Sequence, residues 1–389
     1  MSWIVYGIVL AAAIYQIAAL AACLHHRFRK ASTPPPRDCL PAVSILKPVR
    51  GLDPQFRESI RSHARQTYPQ FEILFGLSDP GDPALPEIER LITEFPECSI
   101  RLIVSSRTAP NGKAAVLACL AEAARYEVLV VNDSDIEVPD HYLEQTVQTL
   151  LNPGVGIVTC LYEGRASTAP GHWEALGIGA DFAPSVLVAR WCGVREFGLG
   201  STLAFRACDL RRIGGFEAIA EYLADDYQLA RQITKLGYRS EISKTVVRTH
   251  VGDFRWREVW THQVRWARTI RVSRPKGYLG LPVTHAGVWA LAGLAFAMWQ
   301  AAAVLVALRM AACAAAGTAL GDRRLVFASI LAPVWDLWAF AIWVIGMTGN
   351  TVEWRGRRIR VDAAGRILPA NEETLCNKMV SLPYESVTP

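Results

Sequence analysis

Residues 42–46, 71–77, 100–104, 128–131 and 155–161 are short runs dense in Val, Ile, Leu and Phe. Runs of that length bounded by turn signals predict strands buried on both faces of a sheet. Between them, residues 55–66, 85–95 and 113–125 predict helices. A fourth helix is opened by Pro139 and stopped by Asn152-Pro153-Gly154. This β-α-β-α alternation predicts a mostly parallel sheet with helices on both faces, joined by right-handed crossovers. After residue 162 the rhythm breaks. Residues 164–200 are rich in Gly, Ala, Pro and aromatics, with little clean periodicity. A strand at 201–205, a helix from Asp209 and a helix over 223–236 then resume the pattern.

A second kind of pattern flanks this one. Residues 3–24 carry no charge, and at ~1.5 Å per residue the run spans about 30 Å of hydrocarbon. The basic residues come after it, at His25-His26-Arg27-Phe28-Arg29-Lys30. That order favours a membrane span over a signal peptide and keeps the next part of the chain in the cytoplasm. Residues 31–36, ending Pro34-Pro35-Pro36, form a stiff spacer within a linker over 25–41. The α/β domain is expected over 42–252. Residues 253–280 come next as an interfacial basic and aromatic region, with Trp256, Trp260, Val264 and Ala267 on one helical stripe. The uncharged run 281–308 and the run 325–347, interrupted only by Asp336, predict about two C-terminal spans within 281–348. Residues 311–320 are a candidate extra interfacial piece. The basic stretch 353–360 belongs in the cytoplasm, so the tail 349–389 requires an even number of C-terminal spans. An acid inside a span is costly, and Asp336 is expected to face protein or a polar cavity.

Composition agrees with membrane segments. Apolar residues make up 51% of the 389, high for a soluble enzyme. The net charge of +5 is modest, and its basic clusters lie beside apolar runs, which points to an anionic membrane surface and not to nucleic acid. Nine cysteines without Cys-x-x-Cys spacing read as reduced, mostly buried thiols in a cytosolic compartment, not as a disulfide frame or a zinc site.

The chemistry concentrates at Val128-Leu129-Val130-Val131-Asn132-Asp133-Ser134-Asp135. The strand runs into a polar tip at the sheet edge where open α/β folds bind ligands. Asp133 and Asp135 suit a hard divalent cation, Mg²⁺ or Mn²⁺, whose other positions go to diphosphate oxygens and water. A plain solvated Asp-Ser-Asp turn is the simpler alternative. In Ser78-Asp79-Pro80-Gly81-Asp82-Pro83, a carboxylate of Asp79 or Asp82 can accept hydrogen bonds from a nucleobase or ribose, or merely shape the turn. Asp225 and Asp226 open a helix. Capping needs only one of them, leaving a carboxylate free. His262-Gln263-Val264-Arg265-Trp266 lies in the basic aromatic region.

Taken together, these clusters resemble the lipid-directed and processive inverting glycosyltransferases of the GT-A fold, whose pattern is three aspartate sites followed by Gln/Arg-x-x-Arg-Trp. More narrowly, Val43-Ser44-Ile45-Leu46-Lys47-Pro48, Asp82-Pro83-Ala84, Asp133-Ser134, Ala224-Asp225-Asp226-Tyr227 and Trp354-Arg355 resemble the ordered landmarks of the ceramide glucosyltransferase family. Val158-Thr159-Cys160-Leu161-Tyr162, Arg265-Trp266-Ala267-Arg268-Thr269-Ile270-Arg271 and Arg274-Pro275-Lys276-Gly277-Tyr278-Leu279-Gly280 look like the bacterial hopanoid-biosynthesis glycosyltransferases within it. The resemblance covers about 42–362. Two departures stand out. Asn111-Gly112-Lys113-Ala114-Ala115-Val116 lacks a polar residue often found there, and His262 stands where the wider fold has Gln or Arg.

The resemblance implies a UDP-sugar donor, a membrane lipid acceptor and a bacterial inner-membrane enzyme whose catalytic domain faces the cytoplasm. It implies Asp226 as the general base. It also implies Asp79, Asp82, Lys113, Asp133, His262, Arg265 and Trp266 as donor-binding residues, with Asp133 and Asp135 at the metal. For the hopanoid group the donor is UDP-N-acetylglucosamine and the acceptor bacteriohopanetetrol. A ceramide or other glycolipid glucosyltransferase using UDP-glucose, a processive polysaccharide synthase and an inactive nucleotide-sugar-binding protein are the alternatives. Too few spans remain for a polymer channel, and retention of the whole acidic and Arg-Trp set argues against inactivity.

Overall fold

The computed structural model describes residues 2–29, 39–354 and 357–369. Helix α1 (Ser2–Phe28) precedes an α/β domain. Its strands are β1 (Val43–Pro48), β2 (Phe71–Leu77), β3 (Ser99–Val104), β4 (Val128–Val131), β5 (Ile136–Glu137), β6 (Val155–Arg165), β7 (Leu203–Arg206) and β8 (Arg239–His250). Between them run α2 (Phe56–Ala64), α3 (Leu85–Glu94), α4 (Gly112–Ala123), α5 (Tyr142–Leu150), α6 (Ala169–Gly177), α7 (Ala183–Trp191), α8 (Ala207–Arg212) and α9 (Asp225–Thr234).

The eight strands form one sheet in the order β3-β2-β1-β4-β7-β6-β8-β5. Six run in one direction, and β7 and β5 run against them. The mostly parallel sheet is therefore as expected. Strands β1, β2 and β4 are almost wholly buried, which is why they read as continuous apolar runs. One core cluster, built on Ile45, Phe75, Val130 and Tyr142, lies under α2, α3 and α5. Another, built on Leu46, Leu74, Leu129 and Phe205, lies under α4 and α9. Every strand of the parallel half ends at the same edge, so the loops after β1, β2 and β4 and the start of α4 converge there.

Within the α/β domain, two stretches depart most from the expectation. Strand β8 occupies residues that the sequence pattern does not assign. Its inward positions include Ser240, Ser243 and Thr245, all buried, so it carries no apolar run to mark it. Residues 169–191 are not irregular: α6 and α7 are joined by a π-helical turn at Ile178–Phe182. Their glycines allow close packing. A Cβ on Gly177 would sit 2.2 Å from Trp335, and one on Gly179 would sit 2.3 Å from Leu325.

Beyond the sheet come α10 (Trp256–Ser273), α11 (Pro275–Gly280), α12 (Ala286–Ala295), α13 (Trp299–Leu320), α14 (Arg323–Ala328) and α15 (Ala332–Gly346). Among the described residues, three helical stretches are long and apolar enough to cross a membrane: Trp3–Phe28, Trp299–Leu320 and Arg323–Gly346. The uncharged run 281–308 is not one helix. The chain turns after α12 through Ala297, whose φ is 59°, and α13 continues through the residues expected to be an interfacial piece. Helices Pro275–Thr284 and Ala286–Ala295 form a pair bent by 54°. Asp336 faces protein, as expected. Its carboxylate takes the Arg309 guanidinium at 2.7 Å and the Gly287 N–H at 2.8 Å.

After α15, β9 (Thr351–Trp354), β10 (Arg357–Val361) and β11 (Ile367–Leu368) form a small antiparallel sheet. This sheet docks on the α/β domain. Leu223 N–H donates to the Gly365 carbonyl at 3.1 Å, and Ile367 N–H to that of Glu221 at 2.7 Å. Trp354 lies in β9, whereas Arg355 lies outside the described residues. The eight cysteines among the described residues are free thiols, but only Cys23, Cys160 and Cys313 are buried, whereas Cys39, Cys192 and Cys208 are exposed on helix or loop surfaces.

Candidate active site

The polar tip after β4 is pinned at every position. Asn132 is fully buried, and its amide donates to the Tyr142 hydroxyl at 2.9 Å and the Ser201 carbonyl at 2.7 Å. The Asp133 carbonyl accepts from the buried Lys47 ammonium at 2.9 Å. The Ser134 hydroxyl donates to the Asp53 carboxylate, and the Thr249 hydroxyl on β8 donates to Asp135 at 2.5 Å. A solvated turn would need none of these partners. Burial and then the neighbouring Asp133 push the Asp135 carboxyl up to about 6. Burial pulls the Lys47 ammonium down to about 7, against the attraction of Asp135, Asp133 and Asp53.

Helix α4 aims a second cation at the same spot. The Asn111 side chain caps it by accepting from the N–H groups of Lys113 and Ala114. That cap fixes the first turn, and the Lys113 ammonium lies 2.7 Å from Asp133 and 3.2 Å from Asp225. Burial opposes its charge, but the two carboxylates outweigh burial and hold it well above the ordinary lysine range.

Asp226 enters from the first turn of α9. Its two oxygens accept from the N–H groups of Gly200 at 3.0 Å and Tyr227 at 2.7 Å. Burial first and Asp225 second push its carboxyl up to about 6, with Lys113 and the Tyr227 N–H opposing. Gly200 stands between the acids: a Cβ there would lie 2.8 Å from an Asp133 oxygen and 3.5 Å from an Asp226 oxygen. Asp133, Asp225, Asp226 and Lys113 thus share one site. Neither Asp225 nor Asp226 acts as a helix cap, since Ala224 holds that position.

The remaining expected residues lie around this centre. Asp79 is exposed after β2 and accepts from the Gly81 N–H at 2.8 Å. Asp82 is buried, and its oxygens accept from the N–H groups of Gly51 and Ala84, tying the loops after β1 and β2 together. His262, Arg265 and Trp266 lie half-buried on α10. The His262 ring is 4.5 Å from that of Trp266, and its Nδ1 is 2.5 Å from a Glu174 oxygen.

Lys47, Asp53, Gly200, Thr249 and Glu174 complete the surroundings and were not anticipated. Only Lys47 left a trace, as a charged residue at the end of an apolar strand. Among the described residues, no group of three or more His, Cys, Asp or Glu is arranged to hold a metal. Asp133 and Asp135 offer hard oxygen donors from two residues only. That set fits a cation such as Mg²⁺ or Mn²⁺, which keeps water and takes substrate phosphate.

Residues 5–367 match the profile of Glycosyl transferase family 21. Ceramide glucosyltransferase 1 of Caenorhabditis elegans is 28% identical over 224 residues, covering 57% of this chain and 46% of that protein. The ceramide glucosyltransferase of Candida albicans is 32% identical over 121 residues, covering 28% of this chain and 22% of that protein. The chain spans about half the length of the Caenorhabditis elegans relatives it matches, 46% and 47%. Among solved structures it is similar to the mannosyltransferase PcManGT from Pyrobaculum calidifontis in complex with GDP-Man and Mn²⁺. The TM-score is 0.52 at 22% identity, over 87% of this chain and 97% of that one. At that identity the likeness speaks to the fold, which is GT-A-like, as expected. With the family match running from α1 to β11, the protein belongs to glycosyl transferase family 21, among the homologues of the ceramide glucosyltransferases.

Proposed function

We propose that the protein is a membrane-bound inverting glycosyltransferase that moves a sugar from a UDP-sugar to a hydroxyl of a lipid. The observation that carries this reading is the meeting of Asp226 with Asp133 and Lys113 at the sheet edge, in a chain that also has helices long enough to cross a membrane.

In this reading Asp226 takes the proton from the acceptor hydroxyl as its oxygen attacks the anomeric carbon. Its backbone hydrogen bonds fix the carboxylate and leave lone pairs for the incoming proton. Lys113 and Arg265 lend positive charge to the departing diphosphate. Trp266 holds that part of α10 in place, and Asp79 faces the base or ribose. Asp82 acts through the loops it joins. Asp133 and Asp135 would hold Mg²⁺ or Mn²⁺, which supplies charge stabilisation to the leaving group when bound. One displacement without a covalent intermediate inverts the configuration.

For the substrates, the hopanoid-like segments favour UDP-N-acetylglucosamine and bacteriohopanetetrol. The curated relatives, named as ceramide glucosyltransferases, favour UDP-glucose and ceramide as a second reading. The basic residues at 25–30 favour a catalytic domain on the cytoplasmic side, and the hopanoid-like segments favour a bacterial inner membrane.

Detergent-solubilised protein offered each UDP-sugar with each lipid tests this by mass spectrometry. One pair gains the mass of one sugar, EDTA abolishes the gain, and Asp133→Ala does the same in a protein that still folds. Full turnover in EDTA contradicts the metal assignment, and failure of every pair contradicts the substrate assignment.

A further inference from the structure

Glu174 lies on α6 and is 1% exposed. One of its oxygens meets His262 Nδ1 at 2.5 Å, and the other is buried with no hydrogen-bond partner among the described residues. A buried carboxylate with a single side-chain partner destabilises the fold, and an apolar residue there would avoid that penalty. Its presence therefore calls for a task at His262. With Glu174 accepting, the contact places the proton on Nδ1. The imidazole is then fixed with its other nitrogen, Nε2, as the working atom.

The surroundings indicate which substrate this nitrogen serves. His262 and Glu174 adjoin an aromatic cluster joining α6, α10 and α15. Trp173 lies 6.4 Å from Trp256 and 6.2 Å from Trp338, and Trp260 lies 4.9 Å from Trp338. Trp338 belongs to the stretch Arg323–Gly346 that is long enough to cross a membrane. On the other side α6 packs on β6, whose Tyr162 hydroxyl is pushed up by burial and then by Asp226, Asp135, Asp133 and Glu174. The pair thus stands between the acidic centre and the helices where a lipid would arrive.

We propose that Glu174 is a positioning residue that fixes His262 so that its Nε2 reads a hydroxyl of the lipid acceptor, and not the nucleotide. This assignment rests on the lipid glycosyltransferase reading above.

Steady-state kinetics with the acceptor and the donor varied in turn, and UDP binding measured separately, test it. Glu174→Leu raises the acceptor KM about 10- to 100-fold, the scale of one lost hydrogen bond to a charged group, with UDP affinity unchanged. Glu174→Gln, whose carbonyl oxygen still accepts from Nδ1, recovers most of the loss. His262→Phe keeps the ring and loses both nitrogens, so it reproduces the acceptor effect even where Glu174→Leu fails to fold. Combining Glu174→Leu with His262→Phe costs no more than either alone. A loss confined to UDP affinity, equal effects of Leu and Gln at Glu174, or additive losses in the double variant each overturn the proposal. A wild-type protein that transfers no sugar to any lipid would instead remove the reading on which it rests.

Discussion

Asp226 is held by two backbone N–H groups, yet burial beside Asp225 leaves its carboxyl at about 6. That value suits a base near neutral pH. A base must be ionised to accept the proton, so kcat should fall as pH drops through about 6 and level off above it. Asp226→Asn should lower kcat by ~10²–10⁴-fold, the usual contribution of a general base. UDP binding should change little. Asp225→Asn should act differently, because Asp225 pairs with Lys113 at 3.2 Å and its loss frees that cation from one of its two acids. If Asp226→Asn instead binds UDP poorly and turns over normally at saturating donor, Asp226 is a donor ligand. At this scale the sequence singles out residues whose setting is local. Asp133, Asp135 and Asp226 stand out because strand, turn and helix start are read from neighbouring residues. Lys47, Asp53 and Gly200 do not, because their roles arise from contacts with partners 86, 81 and 26 residues away.

The elements show the same division. Strands β1, β2 and β4 were legible because both faces are buried and nearly every position is apolar. Strand β8 was not, because Ser240, Glu241, Ser243 and Thr245 are buried polar residues that break the run. Helices α6 and α7 were missed because their Gly and Ala content serves close contact with α14 and α15, and small residues leave little periodic signal. Charge ended the expected first C-terminal span at residue 308, but α13 continues and buries Arg309 against Asp336. The Arg309 guanidinium also donates to the Ala180 carbonyl at 2.7 Å, tying α13 to the turn between α6 and α7. Removing one partner leaves an uncompensated buried charge. Arg309→Met alone should therefore destabilise the protein by about 3–5 kcal/mol, and adding Asp336→Leu should restore much of that. Thermal unfolding in detergent measures both. Equal stability of the single variant and wild type would mean that the pair is not buried in the folded protein.

At the scale of the whole molecule, the tail sheet fixes the topology of the chain. Strand β11 and the turn before it bond directly to Glu221 and Leu223, just ahead of Asp225. Arg268 on α10 donates to the carbonyls of Thr348 and Thr351. The α/β domain and the tail therefore share one side of any membrane the chain crosses. Cysteine labelling from outside intact cells should miss a probe at Ala363. Efficient labelling there, with no labelling of the α/β domain, would contradict the docked tail.

The central claim is the transfer of a sugar to a lipid with inversion at the anomeric carbon. It is tested most directly by NMR of the product lipid made by the purified protein from an α-linked UDP-sugar. A single displacement with Asp226 as the proposed base predicts a β-linked sugar, lost with Asp226→Asn. An α-linked product, or a protein that binds UDP and yields no glycosylated lipid, would contradict it.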